Sequence, residues 1–118
     1  MPHFIVDCSE SILTQKSPDE IMGLINHTAF ASGLFAESGP GGIKVRLAPY
    51  KHYYTVNEKE DFIHVFAHIM EGRTDQQKRA LSDMVVSALK ELFPDVPVVS
   101  MNVYEFDKAS YTNRNMVT

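Results

Sequence analysis

The chain has 118 residues, enough for one modest domain, and its 44% hydrophobic content excludes a disordered polymer. A balance of 11 basic against 15 acidic residues leaves a net charge of −4. That argues against a general nucleic-acid binder, and it requires any anion site to be built locally, against the overall charge.

Cys8 is the only cysteine, so no intrachain disulfide can form. The opening MPHFIVDCSES has neither the basic start nor the long apolar core of a signal peptide. No apolar run approaches the ~18–20 residues of a membrane span. The expectation is a single domain over residues 1–118, soluble and cytoplasmic, with no membrane or nucleic-acid partner. Without a secretion signal, the sequon Asn26-His27-Thr28 is taken as chance.

Residues 3–8 alternate as a strand, with Phe4, Val6 and Cys8 on one face and His3, Ile5 and Asp7 on the other. Ser17-Pro18-Asp19-Glu20 then opens a helix: Ser17 suits the N-cap, Pro18 the first helical position, and Glu20 a capping box. Ile21, Leu24, Ile25, Thr28 and Ala29 keep helical spacing, and Gly33 suits the C-terminal end. Ser38-Gly39-Pro40-Gly41-Gly42 is turn-rich.

Residues 43–48 alternate as a strand that puts Lys44 and Arg46 on one face, and Pro49 disfavours continuation in a central strand. A short strand is expected at Tyr53–Val56. Residues 62–70 form the clearest strand, with Ile63, Val65, Ala67 and Ile69 opposite Phe62, His64, Phe66, His68 and Met70. Gly72-Arg73 turns the chain, Thr74-Asp75-Gln76-Gln77 offers a second capping box, and a helix over Asp75–Phe93 carries Leu81, Met84, Val85, Ala88, Leu89 and Leu92 as its apolar stripe. Residues 98–106 alternate once more, and the polar tail from Lys108 suggests an extended arm.

The order strand–helix–strand thus occurs twice, a duplicated β-α-β unit of the α+β class. Right-handed crossovers put both helices on one face of a four-stranded sheet. The other face is expected to hold Phe4, Phe62, Phe66 and Met70 among histidines. Such a face needs cover, and a second copy of the chain is the economical one.

Chemistry concentrates in few places. Removal of Met1, which a small second residue permits, would leave Pro2 as a terminal secondary amine. An α-amino group titrates near ~8 in model peptides. Burial and nearby cations lower that value, giving a base that is neutral at pH 7. The strand that begins immediately behind Pro2 would hold it in place.

Lys44, Arg46 and Arg73 are the candidate anion binders, since arginine grips carboxylates bidentately and stays charged. Arg73 also stands just before a helix N-terminus, which itself favours anions. Each could equally be surface charge, or for Arg73 a partner of Glu71 or Asp75. His64 and His68 lie ~13 Å apart along a strand, too far to share one metal ion, so packing or interface roles suit them better. Cys8 reads as a small buried hydrophobe.

The opening Pro2-His3-Phe4-Ile5-Val6-Asp7-Cys8-Ser9 resembles that of the 5-carboxymethyl-2-hydroxymuconate isomerases, a branch of the tautomerase superfamily. The likeness continues at Gly42-Ile43-Lys44-Val45-Arg46, at Phe62-Ile63-His64-Val65, at Gly72-Arg73, and near the end at Ser100, Glu105 and Asn113–Val117. The resemblance implies a homotrimer of duplicated β-α-β units, with active sites near the subunit interfaces and no cofactor or metal. It also implies Pro2 as the base that shifts a proton between enol and keto forms of a muconate-type dicarboxylate, with Arg73 binding a carboxylate or the 2-oxygen. Arg46 matches a family arginine. Lys44 stands where the family has an arginine, keeping the charge but losing the bidentate fork. Two other readings share this scaffold: a non-enzymatic oligomeric binding module, and another proline-dependent reaction such as decarboxylation or dehalogenation.

Overall fold

A computed structural model of the chain describes residues 1–38, 42–56 and 59–118. Four strands and two helices alternate: β1 (His3–Ser9), α1 (Pro18–Ala31), β2 (Lys44–Tyr50), β3 (Phe62–Met70), α2 (Asp75–Leu92) and β4 (Val98–Phe106). The strands form one sheet in the order β2-β1-β3-β4. The two outer pairs are parallel and the central β1–β3 pair is antiparallel. Each parallel pair with its crossover helix is one β-α-β unit, and the two units meet back to back at β1 and β3.

Both helices start at the expected caps. The Ser17 hydroxyl accepts from the Glu20 N–H, and Thr74 with Gln77 forms a complete reciprocal capping box. At the end of α1, Ser32 is the cap and Gly33 follows with a φ of 79°. The helices bury Ile21, Ile25 and Ala29 from α1 and Leu81, Val85 and Leu89 from α2. These meet Val6, Cys8, Ile63, Val65, Ala67 and Ile69 in one core on one side of the sheet.

Phe4 belongs to that core, fully buried, and not to the opposite face as expected. The register decides this: Phe4 pairs with Ala67, whose side chain faces the helices, and it meets Phe35 edge-on at 6.2 Å. The opposite face carries His3 beside Lys44 and His68, Ile5 beside Arg46 and Phe66, and Asp7 beside His64. Tyr104 stacks on His68 and Phe66 there, at 5.2 and 6.3 Å. Among the described residues, no helix covers this face.

Three other differences have simple causes. β2 continues through Pro49 to Tyr50, because β2 is an edge strand and a proline there need not donate to a second neighbour. Tyr53–Val56 is not a strand: Tyr54 and Val56 are exposed, leaving no buried pleated face, while Tyr53 rests against Phe62 at 5.0 Å. The tail is not wholly extended, since Arg114–Met116 forms a short 3-10 turn. A further 3-10 turn at Glu10–Thr14, absent from the sequence reading, buries Ile12 under the end of β1. The turn-rich stretch expected at 38–42 falls on Gly39–Gly41, outside the described residues. No helix among the described residues is long and apolar enough to cross a membrane.

Candidate active site

Because β1 and β3 run antiparallel, the start of β1 lies beside the end of β3. That places Pro2 next to the turn that leads into α2. Gly72 makes this turn with a φ of 120°, a conformation that side-chain-bearing residues rarely adopt. Arg73 follows it directly. Together with Met1, Phe35, Glu37, Ser38 and Met70, Pro2 and Arg73 line a cleft of about 200 Å³.

Pro2 is buried, and its carbonyl accepts from the Lys44 N–H at 3.1 Å, which ties the chain terminus to the edge strand. The Arg73 Nη2 donates to the Leu34 carbonyl at 2.6 Å, and its guanidinium carbon stands 5.5 Å from the centre of the Phe35 ring. Lys44 is exposed and donates from Nζ to the Gly42 carbonyl at 2.9 Å. The Met1 amine donates to the Ser38 Oγ at 3.0 Å, and its sulfur accepts from the Tyr111 hydroxyl at 3.0 Å.

The Met1 amine is held below its ordinary value of 8.0, first by burial and then by the positive charges of Lys44 and Arg73. Both are cations singled out in the sequence. Arg46 lies elsewhere, on the uncovered sheet face, with Nη1 3.0 Å from the Nδ1 of His3. Thus Pro2 and Arg73 share a cleft, Lys44 acts on its terminus electrostatically, and Arg46 lies outside its lining. Phe35, Ser38, Met70 and Tyr111 carry no site signal in the sequence; Tyr111 sits in a tail with no periodicity to mark it.

A larger groove of about 560 Å³ runs between α2 and β4. Its cations are already engaged: Lys78 with Asp75 and Glu105 at 3.4 and 3.3 Å, and Arg79 with Asp83 at 2.9 Å. His64 bonds the Ser100 hydroxyl through Nδ1 at 2.6 Å, as a packing histidine does. No three His, Cys, Asp or Glu side chains among the described residues cluster closely enough to hold a metal ion.

The sequence model of 5-carboxymethyl-2-hydroxymuconate isomerase matches residues 2–118. The chain belongs to the 5-carboxymethyl-2-hydroxymuconate isomerase family. It is an isomerase of that family. A 5-carboxymethyl-2-hydroxymuconate Delta-isomerase from Escherichia coli is 26% identical over 95 residues, spanning 79% of this chain and 73% of that protein. The crystal structure of a 5-carboxymethyl-2-hydroxymuconate isomerase from Deinococcus radiodurans R1 shares the fold at a TM-score of 0.79 and 21% identity, covering 96% of this chain and 88% of the other. A fused 4-OT solved as a symmetric trimer shares it at 0.73 and 14% identity, covering 98% and 94%.

Proposed function

We propose that this isomerase moves a proton between the enol oxygen and a ring-cleavage diene carbon of a hydroxymuconate-type substrate bearing two or more carboxylates, most directly 5-carboxymethyl-2-hydroxymuconate, without a cofactor. The base is the Pro2 nitrogen, freed by removal of Met1. It takes the proton from the 2-hydroxyl and returns it to the far end of the conjugated system, so that enol becomes ketone and no atom is gained or lost. Negative charge builds on the substrate oxygens during the transfer. Fixed cations near those oxygens stabilise it where it develops, which is the part assigned to Arg73, with Lys44 contributing charge at the entrance.

The observation that carries this reading is the terminus itself. The Pro2 carbonyl is hydrogen-bonded to the edge strand, and the Met1 amine, one residue before Pro2, is partly desolvated and held down by Lys44 and Arg73; removal of Met1 would put the Pro2 nitrogen in that neighbourhood. These are the conditions under which an amine serves as a general base near neutral pH. The face bearing Phe66, His68 and Tyr104 would be covered by two further copies in a homotrimer, and the trimeric 4-OT of the same fold supports that assembly. Arg46, on this face, would then lie at a subunit boundary. On this reading the protein is a cytoplasmic enzyme of aromatic-compound catabolism.

The test is loss of the conjugated enol absorbance, followed with protein whose intact mass shows Met1 removed. Pro2→Ala should lower turnover by about 10²-fold or more, the range for losing general acid–base catalysis. Unchanged turnover in that variant would overturn the assignment of Pro2, and conversion no faster than the spontaneous rate by the parent protein would overturn the substrate.

A further inference from the structure

We infer that Ser38 and Tyr111 are specificity-determining residues that grip a remote carboxylate of the substrate, in the space that Met1 fills before its removal. The inference rests on the reading of Pro2 as the base.

The carbonyl carbon of Met1 is bonded to the Pro2 nitrogen. Whatever space Met1 vacates is therefore continuous with the lone pair of that nitrogen, and a reacting carbon must approach through it. Met1 thus marks the volume a substrate would take. It makes two side-chain-mediated polar contacts there: its amine donates to Ser38 Oγ at 3.0 Å, and its sulfur accepts from the Tyr111 hydroxyl at 3.0 Å. Without Met1, both hydroxyls lose those partners; Ser38 lines the cleft with Arg73, and Tyr111 faces the space of the Met1 side chain. A hydroxyl that accepts from an amine can rotate and donate to a carboxylate, and a tyrosine hydroxyl donates equally to sulfur or oxygen.

Both residues are held in place. The Ser38 N–H donates to the Phe35 carbonyl at 3.1 Å, and a side chain on Gly42 would come within 2.7 Å of the Ser38 Cβ, so the glycine lets the two backbones approach. Tyr111 is half-buried, its ring packs on Phe106 at 5.7 Å, and its N–H donates to the Asp107 carbonyl at 3.1 Å. Among the described residues, Glu37 is the one carboxylate in the cleft lining, and it opposes an anion. Two neutral donors, Ser38 in the cleft lining and Tyr111 at the Met1 side chain, offset that repulsion, and they favour a substrate with a second acid group at a distance from the reacting carbon.

The experiment measures binding by calorimetry, with adipate and hexanoate as probes, to protein lacking Met1. They share a six-carbon chain and differ in the second carboxylate. The parent should prefer adipate. Tyr111→Phe and Ser38→Ala should each weaken adipate by about 10-fold, the share of a hydrogen bond to a charged group, while leaving hexanoate as it was. Protein retaining Met1 should bind neither. Equal loss for both probes, or no loss for adipate, would overturn the inference. The base assignment is read separately, from the turnover of Pro2→Ala: full turnover there overturns the base and leaves the adipate result on Ser38 and Tyr111 to stand or fall by itself.

Discussion

Arg73 and Leu34 are joined by a hydrogen bond of 2.6 Å that links the turn before α2 to the segment just after α1. One guanidinium nitrogen is committed to that carbonyl, and Phe35 lies against the same group. The side chain is thereby fixed before any ligand arrives, with its remaining donors available to the cleft. A lysine cannot divide itself this way: its ammonium would serve either the carbonyl or a carboxylate. Arg73→Ala should reduce kcat/KM for a dicarboxylate by about 10²-fold, the cost of removing one preorganised charge-stabilising donor. Arg73→Lys should recover only part of it. Steady-state kinetics check both, and an unaffected Arg73→Ala enzyme would reduce Arg73 to a brace between the helix ends.

The uncovered face of the sheet makes a prediction about assembly. Phe66 sits at its middle, stacked with Tyr104 at 6.3 Å and edge-on to His64 at 4.4 Å. Phe66→Asp puts a charge where the proposed trimer has its contact, and a buried unpaired charge is costly. The parent should elute with three times the chain mass in light-scattering chromatography. The variant should run as a monomer with its helical circular dichroism retained. A parent that is monomeric at micromolar concentration would remove the trimer from the proposal.

Much of this architecture is legible in the residues, and the exceptions are instructive. The span of β3 follows from unbroken alternation, and the start of α2 from the chemistry of Thr74 and Gln77, both local signals. Phe4 is different. Alternation groups it with Val6 and Cys8, but which face they take depends on the pairing of Phe4 with Ala67, more than sixty residues away. Pro49 is similar: whether proline ends a strand depends on whether a second neighbour needs its N–H, and that is a property of the sheet order. At the candidate site, Pro2 and Arg73 carry recognisable chemistry. The walls around them come from Phe35, Ser38 and Tyr111, in segments whose only pattern is the fold that brings them together.

Acid should loosen the molecule. His3 and His64 are both held below the ordinary 6.5. For His3 the causes are burial, then Lys44, Arg46, the terminal amine and His68; for His64 burial lowers the value and Asp7 partly opposes it. A folded value below the unfolded one means the unfolded chain binds protons more readily, so this stability is present above pH 6.5 and is lost as pH falls through that value toward the folded ones. Thermal midpoints should therefore fall between pH 7 and pH 5. Replacing both histidines with glutamine should flatten that slope, and an unchanged slope would place the acid sensitivity elsewhere.

Cys8 offers a probe of the core that needs no substitution. It is fully buried between the sheet and the helices, and its thiol is pushed up to about 11, first by burial and then by the charge of Asp7. Thiol reagents attack the thiolate, so the native protein at pH 8 should react only as fast as the core opens. Adding urea below the unfolding midpoint should raise the rate in step with the unfolded population. The raised value also has a stability consequence of opposite sign to that of the histidines. The neutral thiol favours the fold fully below the ordinary value of 9.0, and that contribution disappears as pH rises through about 11. Labelling of the native protein as fast as a free thiol, with the circular dichroism intact, would show that β1 detaches locally. It would then remove the rigid attachment on which the placement of Pro2 depends.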